Sequence, residues 1–233
     1  MDRVQVYILS AGAYLMQSVQ EWMSLFSPNR QKKIAHYYFQ PDRVRTVLAE
    51  LLVRWLLAGR SGLGIKDIYL QRRALGKPYW LDGNLSFNLS HSGSWIVCSI
   101  GTAESGVDVE AFQDLDMELA QYYFCPEEYQ VLQSLSRAAQ MEMLLKFWTL
   151  KESFLKYTGE GLSRRMDAVD GRELLAGRGT VAGRSFRLPD GAWLSICTPR
   201  EYLPERLSRL EFCPERKDGA VREVCFTYAG DIF

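Results

Sequence analysis

The 233-residue sequence predicts an α+β fold of two similar halves, related by a pseudo-twofold, and three features carry that expectation. A helical pattern followed by short alternating runs occurs before residue 104 and again after it. The alternating runs are broken by glycine and asparagine at the spacing of small antiparallel sheets. Charge is also divided: residues 1–104 carry 12 Lys/Arg against 7 Asp/Glu, a net +5, and residues 105–233 carry 16 against 21, a net −5. Each half, 1–104 and 105–233, is therefore expected to be a small, mostly antiparallel sheet packed by helices, with the active site in the cleft between them. A basic half facing an acidic one suits a small polyanion held between phosphate-binding cations and metal-binding carboxylates.

Taken in order, Met1-Asp2-Arg3-Val4-Gln5-Val6 opens as a strand, without the basic-then-apolar layout of a secretory leader. Residues 17–26 carry a short helical pattern. Ser27-Pro28 supplies an N-cap with proline at the first helical position. The helix that starts there carries Arg30, Lys32, Lys33 and His36, with Tyr37, Tyr38 and Phe39 closing it before Pro41. Asp42 caps the next helix, where Val44, Val47, Leu48, Leu51, Leu52, Trp55 and Leu56 recur at helical spacing until Gly59. The runs at 68–70, 85–88, 95–100 and 106–110 read as strands. In the second half, helices are expected near 115–123, 126–135 and 138–158, and strands at 193–198, 207–213 and 221–228.

Several function classes are excluded. Five cysteines, widely spaced and without a C-x-x-C pair, beside only two histidines, argue against a disulfide framework or a zinc site. Zero net charge argues against a nucleic-acid partner. No apolar run is long enough to span a bilayer, so a cytoplasmic location is expected; separately, the chain is expected to act as a monomer. There is no G-x-x-x-x-G-K-[ST] and no strand-linked G-x-G-x-x-G; Gly59, Gly62 and Gly64 follow a helix. Neither Ser90 nor Ser92 sits in G-x-S-x-G.

What remains is a set of motifs that suits phosphoryl chemistry. In Gly106-Val107-Asp108-Val109-Glu110 a strand puts Asp108 and Glu110 on one face and both valines on the other. Two like charges on one face call for a compensating cation, and an all-oxygen set suits magnesium. In Phe147-Trp148-Thr149-Leu150-Lys151-Glu152-Ser153-Phe154-Leu155-Lys156, helical spacing aligns Trp148, Glu152 and Lys156 on one face and gives Phe147, Leu150 and Phe154 a neighbouring apolar stripe. Phe87-Asn88-Leu89-Ser90-His91-Ser92-Gly93 is a strand running into a hydroxyl and imidazole loop fit to cradle an oxyanion. Gly76-Lys77-Pro78 adds a cation in a turn. Each has an ordinary alternative use: a solvated strand edge, a helix Glu–Lys pair contributing ~0.2–0.5 kcal/mol, or a surface turn. Jointly, cations at Arg30, Lys33, Arg45 and Lys77, the Ser90/His91 loop, and Asp108, Glu110 and Glu152 with Lys156 fit magnesium-assisted transfer on a diphosphate.

Read together, these motifs across residues 27–162 resemble the signatures of the 4'-phosphopantetheinyl transferases, in particular the two-domain surfactin-synthetase-activating (Sfp-type) branch. The resemblance implies an enzyme that takes the phosphopantetheine arm from coenzyme A and joins it to a serine of an acyl or peptidyl carrier protein. Adenosine 3',5'-bisphosphate is released, and the carriers are those of nonribosomal peptide, polyketide or fatty acid biosynthesis. It further implies Asp108, Glu110 and Glu152 as magnesium ligands, and Lys156, His91 and Ser90 at the coenzyme A phosphates. Arg30, in place of a frequent lysine, and Lys33 fall at the 3'-phosphate, Arg45 and Thr46 near the nucleotide, and Lys77 and Pro78 on the adenine side. Phe124-x-x-x-Glu128-Tyr129 matches the family pattern that makes Glu128 the general base; Glu127 beside it equally suits a helix N-terminus. Leu115, Met117, Leu119, Tyr122, Tyr123 and Phe124 offer apolar surface to the carrier. The alternatives are another magnesium-dependent phosphotransferase or diphosphate hydrolase, and a non-catalytic carrier-binding module.

Overall fold

Alternation in the first strand sets the layer plan. In β1 (Gln5–Ser10) Val6 and Ile8 enter one core and Leu9 the other, so this strand is covered on both faces. The computed structural model describes residues 4–112, 117–161, 164–217 and 221–233; Leu115, singled out in the sequence, lies outside them. The first half follows with α1 (Pro28–Ala35), α2 (Gln40–Ser61), β2 (Leu70–Arg72), β3 (Pro78–Trp80), β4 (Ser86–Ser92) and β5 (Trp95–Gly101). Next come β6 (Gly106–Glu110), α3 (Met117–Tyr123), α4 (Pro126–Gln133), α5 (Arg137–Thr158), α6 (Gly171–Ala176), β7 (Val181–Arg187) and β8 (Trp193–Pro199). The chain closes with β9 (Leu207–Phe212), β10 (Glu215–Lys217), β11 (Val221–Glu223) and β12 (Phe226–Ile232).

The fold is α+β, with small, mostly antiparallel sheets packed by helices. A five-stranded sheet runs β12-β9-β1-β5-β4, and a three-stranded sheet runs β6-β8-β7. Only the β1–β9 pair is parallel among the paired strands described. One core lies between α2 and the larger sheet, where Val44, Val47, Leu48, Leu51 and Leu52 pack as the helical period requires. A second joins the sheets through Val6, Ile8, Val97, Val107, Val109, Leu194 and Ile196. Leu150 and Leu155 of α5 pack against Cys197 on β8. The two long helices are alike: α2 and α5 each have 22 residues and end at a left-handed glycine, Gly62 (φ 75°) or Gly159 (φ 74°). No helix among the described residues is long and apolar enough to cross a membrane.

The strand order changes the expected division at residue 104. β9 and β12 belong by sequence to the second half, yet they extend the sheet of the first, β9 lying beside β1. Without them the outer edge of β1 would be open, and an open hydrophobic edge is a liability. Other boundaries shift for local reasons. The 17–26 pattern is a 3₁₀ turn at Gln20–Leu25, and α1 stops at Ala35, leaving Tyr37, Tyr38 and Phe39 exposed between helices. Pro41 sits in the first turn of α2, which begins at Gln40, instead of preceding the helix, because the first helical N–H groups have no partner to lose. Gly59 lies inside that helix. The Gly76-Lys77-Pro78 turn opens a β2–β3 hairpin, and α6 and β7 were not foreseen.

Candidate active site

The motif glycine fixes how the acidic strand meets the long helix. A side chain on Gly106 would put its Cβ 2.0 Å from the Ser153 carbonyl oxygen and 2.3 Å from the Tyr157 nitrogen. Backbone therefore packs on backbone. Two and four residues on, Asp108 and Glu110 share the face of Gly106 and line a cleft of about 690 Å³ with Trp148, Glu152 and Lys156 of α5. The expected alternation holds: Val107 and Val109 are fully buried on the other face.

Electrostatically this wall is acidic and short of cations. Lys156 Nζ donates to Asp108 Oδ1 at 2.6 Å and to Ser90 Oγ at 3.0 Å. The Ser90 hydroxyl donates to the same Asp108 oxygen at 2.8 Å. The second oxygen, Oδ2, is buried and has no hydrogen-bond partner among the described residues. Burial first, and the charge of Asp108 second, push the carboxyl groups of Glu110 and Glu152 above the usual range. An orphaned carboxylate oxygen beside two carboxyls that resist ionisation is what a hard divalent cation would relieve, so the donor set fits magnesium. The three carboxylates are not drawn tightly together. The one trio of described residues whose ligand atoms lie within 4.8 Å of one another is Cys125, Glu128 and Asp170.

The opposite wall is basic and comes from α1, α2 and the β2–β3 hairpin. Thr46, Glu50 and Arg54 follow i, i+4, i+8 spacing on α2, and all three are buried at the cleft. Glu50 holds two arginines: it accepts from Arg30 Nε at 2.7 Å and from Arg54 Nη2 at 3.1 Å. Thr46 Oγ1 and Arg54 Nε are buried without a hydrogen-bond partner among the described residues. Lys66, Tyr69, Arg72 and Pro78 complete this end. His91 lines the cleft mouth, open to water, yet the protein around it and the charges of Arg45 and Lys156 hold its pKa below the usual imidazole value.

Of the sequence-nominated residues, Arg30, Thr46, Pro78, Ser90, His91, Asp108, Glu110, Glu152 and Lys156 line this one cleft. Four do not. Lys33 is exposed on α1. Arg45 donates to Gly93 O at 2.7 Å and to Asp42 Oδ1 at 2.5 Å, holding the β4–β5 turn to α2. Lys77 Nζ donates to Glu104 Oε2 at 2.8 Å, Ser105 O at 3.3 Å and Tyr157 O at 3.2 Å, so it pins the inter-half link to α5. Glu128, expected as the general base, is fully buried: it pairs with Lys151 Nζ at 2.5 Å and accepts from the Cys125 and Gly171 N–H groups. Both oxygens are engaged: Oε2 closes a capping box at the start of α4 and meets Lys151, while Oε1 takes the Gly171 N–H. Burial pushes the Cys125 thiol up to about 11, which makes that trio a poor metal site.

Other expectations divide similarly. Tyr122 is exposed, Tyr123 stacks edge-on against Trp148 at 5.4 Å, and Phe124 is buried, which withdraws it from any docking surface. Glu50, Arg54, Lys66, Tyr69 and Arg72 also line the cleft and carry no motif, and Trp148 lines it on the face it shares with Glu152 and Lys156. A signal for two of them exists: Thr46, Glu50 and Arg54 form a polar stripe at helical spacing through an otherwise apolar helix.

Comparison with known proteins matches two segments of the chain. Residues 104–199 match the family model of the 4'-phosphopantetheinyl transferase superfamily, and residues 15–102 match that of the 4'-phosphopantetheinyl transferase N-terminal region. The chain is 28% identical over 220 residues to 4'-phosphopantetheinyl transferase Sfp of Bacillus subtilis (strain 168), covering 90% of this chain and 98% of that protein. A second 4'-phosphopantetheinyl transferase of Bacillus subtilis is 32% identical over 197 residues, 84% of this chain and 85% of its own length. The 4'-phosphopantetheinyl transferase gsp of Aneurinibacillus migulanus is 33% identical over 136 residues, 58% of this chain and 57% of its own.

Proposed function

The chain belongs to the 4'-phosphopantetheinyl transferase superfamily, in its Sfp-type branch, and from that premise we propose that it moves the phosphopantetheine arm of coenzyme A to a carrier-protein serine. The observation that carries this reading is the cleft in which Asp108, Glu110, Glu152 and Lys156 face Arg30, Arg54 and His91. A diphosphate with a separate phosphate needs that arrangement: cations at one end for the distal phosphate, and carboxylates with one lysine at the reacting end.

In this mechanism the serine oxygen bonds to the pantetheine-side phosphorus as the diphosphate P–O bond breaks, and adenosine 3',5'-bisphosphate leaves. Asp108, Glu110 and Glu152 would hold a magnesium ion, which supplies charge neutralisation at the diphosphate oxygens. Lys156, already beside Asp108, has a third N–H for the leaving phosphate. With Glu128 sealed in the core, the groups facing the cleft that can accept the serine proton are Glu110, Glu152 and His91. Residues 1–104 supply Arg30, Thr46 and Arg54 to the nucleotide wall, residues 105–233 supply Asp108, Glu110, Glu152 and Lys156 to the reacting wall, and Tyr122, exposed on α3, is the surface offered to the carrier.

The deciding measurement is the mass of acyl and peptidyl carrier proteins after incubation with the enzyme, coenzyme A and magnesium. One phosphopantetheine adduct per carrier is expected from the wild type. Asp108→Asn should lower the rate by ~10²–10³-fold with the unfolding midpoint kept. Unmodified carriers together with release of adenosine 3',5'-bisphosphate and free 4'-phosphopantetheine from coenzyme A and water alone would instead favour a diphosphate hydrolase.

A further inference from the structure

The two edge strands at the cleft exchange no backbone ladder: β4 ends the larger sheet and β6 ends the smaller one. Side chains of β4 take the place of that ladder. The N–H groups of Val107, Val109 and Ala111, every second residue along β6 and its end, donate to Asn88 Oδ1 at 3.0 Å, Ser90 Oγ at 3.3 Å and Ser92 Oγ at 3.1 Å. The acceptors also recur every second residue, so the pleats of two strands in different sheets run in register. The serines then pass their own proton onward. Ser90 donates to Asp108 Oδ1 and Ser92 to Glu110 Oε2, both at 2.8 Å.

We propose that Ser92 is a positioning residue for Glu110, fixing the carboxylate rotamer that a divalent cation requires; the proposal rests on the cation reading given above. A hydroxyl is the group that does this, since it accepts from a backbone N–H and donates to a carboxylate at once. Asn88 has the complementary duty. Its carbonyl sets the register, and it has no acid to orient, because the residue before Val107 is Gly106, where Asp108 precedes Val109 and Glu110 precedes Ala111. The close fit at the end of the ladder belongs to the same device: a Cβ on Gly93 (φ +54°) would lie 2.7 Å from the Ala111 Cβ, so the turn after Ser92 is pressed against the strand it aligns. Ligand-orienting hydrogen bonds of this kind change metal affinity by roughly 10–100-fold. A ladder that served only to join the sheets would change stability and leave cation affinity alone.

The experiment measures Mn2+ binding by electron paramagnetic resonance, with and without coenzyme A, for the wild type, Ser92→Ala, Ser92→Thr and Asp108→Asn, alongside metal-free thermal unfolding. Ser92→Ala should raise the Mn2+ dissociation constant by roughly 10–100-fold. Ser92→Thr, which keeps the hydroxyl on a β-branched side chain suited to a strand, should stay near the wild type. Both should unfold within a few degrees of the parent, because Ser92 and Ala111 are only half-buried. Wild-type affinity in Ser92→Ala, with affinity lost in Asp108→Asn, overturns the role of Ser92 and leaves the cation site standing. Equal Mn2+ binding by wild type and Asp108→Asn overturns the cation site and the proposal with it.

Discussion

Two lysines five residues apart on α5 are used in opposite ways. Lys151 is fully buried, paired with Glu128 and also bonded to the Tyr123 and Met166 carbonyls at 3.1 and 3.2 Å. Each proton on its nitrogen has a partner. Lys156 pairs with Asp108 at the cleft, where its side chain keeps 29% exposure and Asp108 keeps one oxygen without a partner. The first arrangement is closed and serves the fold, whereas the second has bonding capacity left over and so can act on a ligand. The sequence nominates Glu128 and Asp108 alike; saturation of hydrogen bonding is what separates them.

The sharpest attempt to break this contrast is Glu128→Ala. Removing one partner leaves Lys151 charged and buried, a loss of roughly 3–5 kcal/mol of stability. For a chain of this size the unfolding midpoint should fall by about 6–20 °C. Assayed well below that midpoint, the turnover of the folded fraction should stay close to wild type. Collapse of turnover at an unchanged midpoint would return Glu128 to the role of general base.

The same distinction explains how much of the molecule was legible. The β6 strand, its in–out alternation and the Trp148/Glu152/Lys156 face were readable because each rests on local periodicity, which survives in a bare sequence. The Glu128–Lys151 pair was not readable. It depends on α4 folding against α5, and the sequence spacing of 23 residues carries no trace of that contact. The return of β9 to β1 was hidden for the same reason, since a strand's alternation states which face is buried and not which neighbour it takes. The Asn88/Ser90/Ser92 ladder is an intermediate case. Its period of two stood in the sequence beside the period of two in Gly106-Val107-Asp108-Val109-Glu110, but only the fold shows that the two motifs are halves of one zipper.

A smaller effect sharpens the contrast within α1. Arg30 is anchored by Nε to Glu50, while its two terminal nitrogens have no hydrogen bond among the described residues, a fork turned to use. Lys33, one turn on, is exposed and lines no part of the cleft. On the proposed reading Arg30→Ala should raise the KM for coenzyme A by roughly 10–150-fold, the equivalent of about 1.5–3 kcal/mol for a charge-assisted contact. Lys33→Ala should change it by no more than a few-fold. With 3'-dephospho-coenzyme A the two variants should become alike. A larger loss from Lys33→Ala than from Arg30→Ala would place the distal phosphate on the exposed face of α1.

The smallest effect is one of pH and belongs to His91. Its pKa is lowered first by the protein packed around it and then by the charges of Arg45 and Lys156, so the free ring is neutral near pH 7.5. A phosphate bound beside it favours the protonated ring and raises the pKa, so binding takes up a proton. Affinity is then greatest below the lowered free-state pKa, declines as pH rises toward the raised bound-state pKa, and levels off above it. At pH 8 the neutral ring offers an ordinary hydrogen bond, and His91→Ala should weaken coenzyme A binding by only about 0.5–1.5 kcal/mol. The gap between wild type and variant should widen as pH falls to 6, measured by calorimetry in buffers of different ionisation enthalpy. Titration of the coenzyme A phosphates is common to both proteins and cancels in that difference. A gap that is constant with pH would mean that the ring stays neutral throughout, and that Lys156 and the arginines alone answer the charge of the ligand.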